Sequence, residues 1–566
     1  MKYTKLAIKT NKDAKDFDSI NATLLIKAGF INQTMAGVYT FLPLGLRVLN
    51  KIEQIVRQEM DKVGVEVLMP ALAPKGLWET TGRLDTVDVL MKTIGANNAS
   101  QNKSSAEYVL NSTHEEVITP IAQEFNRSYK DFPFAYYQIQ SKFRNEARPK
   151  SGIMRGREFR MKDLYSFHVS EEDLKEYYEI VKQAYVTIFE RLGLGDDTVI
   201  SLASGGDFTK DYSHEFQTKL AAGEDTIFYD KKLDIGYNKE VAPSKAPRVT
   251  QEAALKEMKE VKTEGVTGVA ALVKFMNVPV EQTTKTMIYE TDDGRIVAAA
   301  LRGDYAINEE KLTKVVGCGS LQLAAAATVT KITGAEIGYA GLLGLPKNVE
   351  VYMDESMEGR TNFEMGANKT NYHNSNVNFG RDLPKPDQFY DFKTAKEGDL
   401  NPETGQVYDV FAAAEVGNIF PLNTKFTKAF NYTYTDENGK AQPVYMGCYG
   451  IGTSRIMGVL VEKYHDQNGI VWPTQVAPFQ AYLISLPGGE NAAQKLYDQL
   501  QAKGVEVLWD DRDTSAGAKF ADADLLGIPV RLVVSKKTDG KVEWKDRRST
   551  QTHLISNEEV IEKLDA

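Results

Sequence analysis

Residues 143–163 read FRNEARPKSGIMRGREFRMKD, and the order of residue types in this stretch governs the reading of the rest of the chain. The spacing predicts two short strands joined by a loop around Gly152, which brings Arg144, Glu146 and Phe159 near one another. A guanidinium can hold a phosphate, a carboxylate can accept from an amino group, and a ring can stack on a base. Those three side chains suit a nucleotide. Positions 142–162 also carry Lys142, Arg144, Arg148, Lys150, Arg155, Arg157, Arg160 and Lys162 against only Glu146 and Glu158, a local basic patch. By composition alone the segment reads equally well as a solvated charged hairpin.

On the N-terminal side, Leu49, Ile52, Val56 and Met60 recur at helical spacing after Pro43 and Gly45, which predicts an amphipathic helix stopped at Gly64. An extended VEVLMP follows and ends at Pro70. On the C-terminal side, Ser170 and Asp173 form a capping-box-like start for a helix holding Leu174, Tyr178, Val181, Tyr185, Ile188 and Leu192, with Gly193 ending it. From about Gly223 to Gln406, alanine- and lysine-rich helical stretches alternate with short β runs such as TMIYE and RIVAAAL, which suggests an inserted α/β domain. After Val476 and Pro478 the order AYLISL, AAQKLYDQLQAKG, VEVLWD and later GIPVRLVVS predicts a compact α/β module with a largely parallel sheet. The expected boundaries are 1–222, 223–406, 407–474 and 475–566.

The 566 residues suit three or four domains, and 42% hydrophobic with 26% charged residues is an ordinary globular composition. The start, MKYTKLAIKT, has no apolar run of signal-peptide length, and no stretch approaches the length needed to span a bilayer, so a cytoplasmic location is expected. Cys318 and Cys448 are far apart with no CxxC pair, which excludes a disulfide framework and a cysteine-rich zinc site. The formal charge of −10 argues against nonspecific binding to nucleic acid, so an RNA partner must meet local basic patches.

The FRNE and REF segments resemble motif 2 of the class II aminoacyl-tRNA synthetases. The helix with VEVLMP resembles motif 1, the dimer-forming element, and Gly450-Ile451-Gly452-Thr453-Ser454-Arg455 resembles motif 3. Alone, such a glycine-rich turn before a helix is more often structural than phosphate-binding. NSTHEEVITP, GREFRMKDLYSFH and SHEFQ narrow the resemblance to the bacterial-type prolyl-tRNA synthetases. A threonyl relative would need a catalytic zinc with Cys and His ligands, which two scattered cysteines and six histidines hardly supply, and no zinc is expected.

The resemblance implies an α+β multidomain fold: a class II antiparallel sheet flanked by helices, an inserted α/β editing domain and a C-terminal α/β anticodon-binding domain. It implies ATP-dependent attachment of proline to tRNA(Pro) through a prolyl-adenylate by a homodimer, with hydrolytic editing of alanyl-tRNA(Pro). Arg144 and Arg455 would hold the ATP phosphates, with Glu146 and Phe159 completing the ATP site. Thr113 and Glu115 would accept from the secondary ammonium of proline, Arg144 would also hold its carboxylate, and Phe167, His168 and His214 would wall its ring. Glu415 is the candidate Mg2+ ligand, and Cys448 has no catalytic role.

A pocket shaped for proline discriminates against smaller alanine by only about 1–3 kcal/mol, which gives a second, hydrolytic site its physical reason. Within the insertion, TKTM with Lys285, the loop from Gly338 to Leu342 and His373 match the family's editing elements; Leu342 stands where the family's loop usually has proline. In the C-terminal module Arg512, Lys519, Phe520 and Arg531 are expected to meet unpaired bases by stacking and phosphate contact.

Overall fold

The computed structural model describes residues 1–206, 208, 209, 213–249 and 254–565, which fall into two units. The larger comprises residues 1–200, 205–224 and 412–566; the smaller comprises 201–204 and 225–411.

The amphipathic pattern after Pro43 forms the helix Pro43–Met60, with the proline in its first turn and Val48, Leu49, Ile52, Val56 and Met60 all buried. Ser170 caps the helix Glu171–Arg191 by accepting from the Asp173 amide, and Gly193 at φ +78° follows its end. Both helices cover one face of a mostly antiparallel sheet. Six of its nine strands run in the order Ser213–Lys219, Asp409–Asn423, Tyr445–Ile451, Glu158–His168, Phe134–Phe143 and Val65–Glu66, the last joining parallel to its neighbour. The two strands around Gly152 are longer than the local pattern predicts, 10 and 11 residues, because their outer halves pair deep in the sheet. Of VEVLMP only Val65–Glu66 pairs as strand.

Alternation along Glu158–His168 separates two environments. Arg160, Lys162, Leu164, Ser166 and His168 point to the helices: Arg160 pairs with Glu53 at 2.9 Å, and Lys162 bonds the Tyr185 hydroxyl. Phe159, Met161, Asp163, Tyr165 and Phe167 point the other way. Tyr165 and Phe167 pack with Cys448, Phe420, Val117 and Ile118 in a second cluster.

The C-terminal module is a five-stranded sheet in the order Val507–Asp510, Ala481–Ser485, Val530–Val534, Val542–Asp546, His553–Ile555. Its first three strands are parallel, joined through the helices Glu490–Ala502 and Ala516–Leu526; the last two return antiparallel after short turns. The parallel part is thus smaller than the sequence pattern suggests, since a short connection can only close an antiparallel pair.

The smaller unit holds a four-stranded sheet, Leu321–Leu323, Thr284–Thr291, Ile296–Arg302 and Val349–Met353, and a three-stranded one, Lys259–Lys262, Tyr372–Val377 and Phe363–Gly366. Apolar clusters fill both sides of Thr284–Thr291. Ile288 faces Met365, Leu342 and Phe363, while Tyr289 faces Tyr305 and Leu312.

Candidate active site

The face of the large unit's sheet turned away from the helices Pro43–Met60 and Glu171–Arg191 collects the expected nucleotide residues. Arg144 follows Phe134–Phe143 and lies with its guanidinium 5.1 Å from the Phe159 ring centroid. Arg455, two residues beyond the start of the helix Thr453–Lys463, donates to the carbonyl oxygens of Met154 at 2.9 Å and Glu415 at 2.7 Å. Burial and the neighbouring Arg455 charge lower the Arg144 pKa, while Glu415 and Glu146 oppose that shift. Two guanidiniums whose charges act on one another can together hold a polyanion. Glu146 accepts from Arg155 at 3.0 Å, and Glu415 accepts from Arg455 at 3.2 Å and from the Asn418 amide at 2.7 Å.

Beside this lies a buried polar pocket at the start of the helix Glu115–Phe125. Glu115 accepts from the Thr113 hydroxyl and, at 3.0 Å, from the Cys448 thiol. The helix N-terminus and Arg83, whose Nη1 is 3.7 Å away, both favour its negative charge. Arg83 binds Glu116 at 2.8 Å and sits among the rings of Trp78, Phe208 and Phe426. Burial pushes the Glu116 carboxyl up, and Arg83 holds it down. The Cys448 thiol is raised well above its ordinary value by burial and the adjacent carboxylates, so it acts as a neutral lining group.

A third set of bonds fixes this turn from beneath. Lys142 bonds both Asp163 and His114 Nδ1, and His114 Nε2 lies 2.9 Å from the Pro70 carbonyl oxygen. A lysine donating to Nδ1 leaves the proton on Nε2, directed at that carbonyl. Burial and the Lys142 charge lower His114 to about 3, which keeps it neutral. The His114 amide donates to the Tyr165 hydroxyl at 3.0 Å. The sequence reading missed Arg83, Glu116, Lys142, His114, Asp163 and Tyr165 as members of the site. Only Glu116, adjacent to Glu115 at a helix start, carried a local signal.

Phe167 lies on this face but is covered, stacked on Phe134 at 4.9 Å. His168 and His214 are not brought to it. His168 points to the helical face, with Nδ1 3.2 Å from Asp173 and its ring 5.1 Å from Tyr177. The His214 Nδ1 is 2.8 Å from the Tyr178 hydroxyl of the same helix. Burial lowers both histidines, His214 to about 4.

Comparison with known proteins agrees with this arrangement. Residues 98–464 match the tRNA synthetase class II core domain (G, H, P, S and T), and residues 480–566 match an anticodon binding domain. The proline–tRNA ligase of Listeria welshimeri is 40% identical over 100% of this chain and 99% of its own, and that of Caldicellulosiruptor saccharolyticus is 42% identical over 99% and 97%. The chain belongs to the proline–tRNA ligases. These are class II synthetases, and the antiparallel sheet with its flanking helices is that group's fold. A crystal structure of prolyl-tRNA synthetase from Cryptosporidium parvum, complexed with halofuginone and AMPPNP, shares the fold with a TM-score of 0.56 at 14% identity, covering 96% of this chain and 75% of that one.

The other expected sites of a proline–tRNA ligase are placed as follows. Lys285 and Thr284 leave their strand on opposite faces. Lys285 donates to the Tyr305 carbonyl oxygen at 2.5 Å, and burial lowers its pKa against the pull of Asp304. On the other side His373 Nδ1 is 2.6 Å from the Thr263 hydroxyl, its ring is 5.4 Å from that of Tyr339, and its Nε2 is 3.9 Å from Glu364. Gly338, at φ +103°, is required there because a Cβ would stand 2.6 Å from the Thr267 Cβ. Gly338 and His373 therefore come together, and Lys285 lies across the sheet from them. Leu342 is buried in the apolar cluster of Met365 and Phe363.

In the C-terminal module Arg512 is bonded to Asp510 at 2.7 Å and Asp522 at 2.8 Å and stacks over Tyr3 at 3.7 Å, while buried Lys519 donates to the carbonyl oxygens of Ser485 and Asp510. These bonds hold the module together, so the two cations are not offered to a base. Arg531 stacks on Phe520 at 4.6 Å. Among the described residues no helix is long and apolar enough to cross a membrane.

Proposed function

We propose that this member of the proline–tRNA ligases activates proline on the open face of its large sheet, with Arg144 and Arg455 as the catalytic cations. The supporting observation is the Arg144 guanidinium beside Phe159, with Arg455 acting on its charge, together with the fixed Thr113–Glu115 turn. Phe159 stacks on adenine, Glu146 accepts from its amino group, and the arginines hold the phosphates. Thr113 and Glu115 accept the two N–H bonds of the proline ammonium, and Cys448, Phe420 and Tyr165 line the space beside them. Proline's carboxylate attacks the α-phosphate and pyrophosphate leaves; the terminal hydroxyl of tRNA(Pro) then attacks the acyl carbon and AMP leaves. No general base is needed for the first step, since the nucleophile is already ionised and positioning supplies the rate. One carboxylate beside substrate phosphates is an ordinary Mg2+ environment, so Glu415 fits the metal arriving with ATP, which would neutralise phosphate charge. His168 and His214 support the sheet from behind rather than walling the substrate.

The chain acts as a cytoplasmic homodimer in this reading. Val65 and Leu68, beside the sheet edge, are 64% and 79% exposed, an apolar strip suited to a self-complementary contact. The C-terminal module takes the anticodon, with Phe520 and Arg531 as the stacking pair. The inserted unit hydrolyses alanyl-tRNA(Pro), with His373 and Gly338 at the ester and Lys285 anchoring the RNA from the neighbouring face.

Pyrophosphate exchange tests the reading. Exchange is expected with proline at least tenfold above alanine, and preformed alanyl-tRNA(Pro) is expected to be cleaved. Exchange driven by another amino acid alone rejects the first assignment, and intact alanyl-tRNA(Pro) rejects the second. Light scattering is expected to give twice the chain mass, and Leu68→Asp to shift it toward the monomer.

A further inference from the structure

The smaller unit contains a cavity of about 380 Å³ lined by Lys245, Arg248, Arg302, Glu355, Glu358 and Arg360, among others. Its charges are not balanced. Arg302 is neutralised by Asp304 at 2.6 Å, Glu355 by Lys393 at 2.5 Å and the Ala246 amide, and Glu358 stands exposed to solvent at the rim, against the exposed Lys245 and Arg248. Arg360 differs. It is 5% exposed, yet its guanidinium donates only to neutral groups, the Thr284 hydroxyl at 3.1 Å, the Thr283 carbonyl oxygen at 3.0 Å and the Met357 sulfur at 2.7 Å. Among the described residues no carboxylate lies within ion-pair distance of it. Glu364, the carboxyl that most favours its charge, is pushed by burial to about 8 and is mainly neutral at pH 7. Arg360 itself falls only to about 9 and keeps its charge. A buried cation without a counter-ion is costly, and such a site is stabilised by an anion entering from the open side. Lys245 and Arg248 are exposed at the mouth, where they attract one.

We propose that this cavity binds one phosphate group of an RNA strand, with Arg360 as its buried ligand and Arg248 and Lys245 as its rim. The choice of RNA rests on the editing reading of this unit. Thr284 links the two places, since its hydroxyl accepts from Arg360 while its amide donates at 3.1 Å to Glu364, the carboxyl beside His373. A phosphate held by Arg360 therefore sits one residue from the strand face that carries the His373 cluster. A planar guanidinium suits this task because it can bond two phosphate oxygens at once.

The test uses the full chain with saturating ATP, so that the phosphate receptor of the large sheet is filled. Binding of a short fluorescent single-stranded RNA is measured for wild type, Arg360→Gln and Arg248→Glu over a range of salt, with inorganic phosphate as a second probe. Arg360→Gln is expected to weaken RNA binding at least tenfold, Arg248→Glu about threefold or more, and removal of a phosphate contact to flatten the salt slope by about 1. Should Arg360→Gln fail to fold, Arg248→Glu decides alone, because its side chain is exposed. RNA binding unchanged in the folded variants overturns the proposal. So does binding of inorganic phosphate that depends on Arg360 while the RNA does not bind, which would assign the cavity to a free phosphate. Deacylation of alanyl-tRNA(Pro) by wild type is followed in parallel. RNA binding that depends on these arginines without any deacylation keeps the cavity and rejects the editing reading; deacylation with unaltered RNA binding does the reverse.

Discussion

On the open face of the large sheet, Arg144 and Arg455 stand side by side with Glu415 and Glu146 as partial counter-ions; in the inserted unit, Glu364, His373 and Lys285 are driven toward their neutral forms by burial. The first region stores charge, whereas in the second these three groups are pushed toward neutrality and Arg360 is kept as a buried cation. Neutralising a transferring phosphate needs preorganised cations, so under the proposed function the cost of holding two guanidiniums together would be met by ATP. An ester is neutral, and a site for it gains more from exclusion of water and a few directed donors. The contrast also separates structural from functional charge. Arg83 and Glu116 are as buried as Glu364 but are paired with each other, which makes them a support for the Thr113–Glu115 turn.

The comparison breaks most easily at Arg144. Arg144→Ala is expected to lower proline-dependent pyrophosphate exchange by about 10³-fold, at the upper end for one preorganised donor, with unchanged thermal unfolding. Near-normal exchange in a folded variant would show that the cation pair does not carry the chemistry. Next in size is Arg83→Met, which strands Glu116 in the core. A loss of about 3–5 kcal/mol is expected in urea unfolding at pH 8, accompanied by a raised KM for proline. Because burial already raises the Glu116 carboxyl to about 7, the loss should shrink as the pH falls below that value. A pH-independent loss would mean that packing against Trp78, Phe208 and Phe426 dominates.

Lys285→Ala sharpens the contrast from the other side. Deacylation of alanyl-tRNA(Pro) should drop about tenfold while proline charging stays within about twofold, because one hydrogen-bond donor to the RNA contributes about 1.5 kcal/mol. Equal losses in both assays would tie the insertion to synthesis and dissolve the distinction. Glu364→Gln leaves catalysis aside and changes only the pH dependence of stability. Glu364 titrates near 8 when folded and near 4.5 when unfolded, so the native state binds the extra proton between those values and its stability falls as pH rises through that window. Calorimetry should show Glu364→Gln removing up to about 1.4 kcal/mol per pH unit of that slope, with no difference below pH 4. Parallel pH profiles for the two proteins would place Glu364 in a wetter environment than its burial implies.

Much of the large unit was legible locally. The helix Pro43–Met60 follows from one apolar stripe, and the cap at Ser170 from two residues three apart. The order FRNE, REF and GIGTSR carried the class II architecture, because motif residues on adjacent strands must keep their order in the chain. Strand parity even separates Phe159, Tyr165 and Phe167 from His168 in GREFRMKDLYSFH, a signal the proline-wall reading did not use. That reading rested on the family resemblance alone, and a strand sends Phe167 and His168 to opposite faces.

The sequence by itself determined the fold class and the family, through motifs that each span no more than a few dozen residues and resemble those of the class II synthetases. Tertiary structure alone decided which sheet face stays open, because the helices Pro43–Met60 and Glu171–Arg191 cover the other and take His168 and His214 with it. It decided as well that Arg512 and Lys519 are consumed inside their module, that Arg83 reaches Glu116 from 33 residues away, and that Arg360 has no counter-ion among the described residues. Each of these depends on which distant groups share a buried volume. Burial makes the balance of charge there decisive, and no local pattern encodes it.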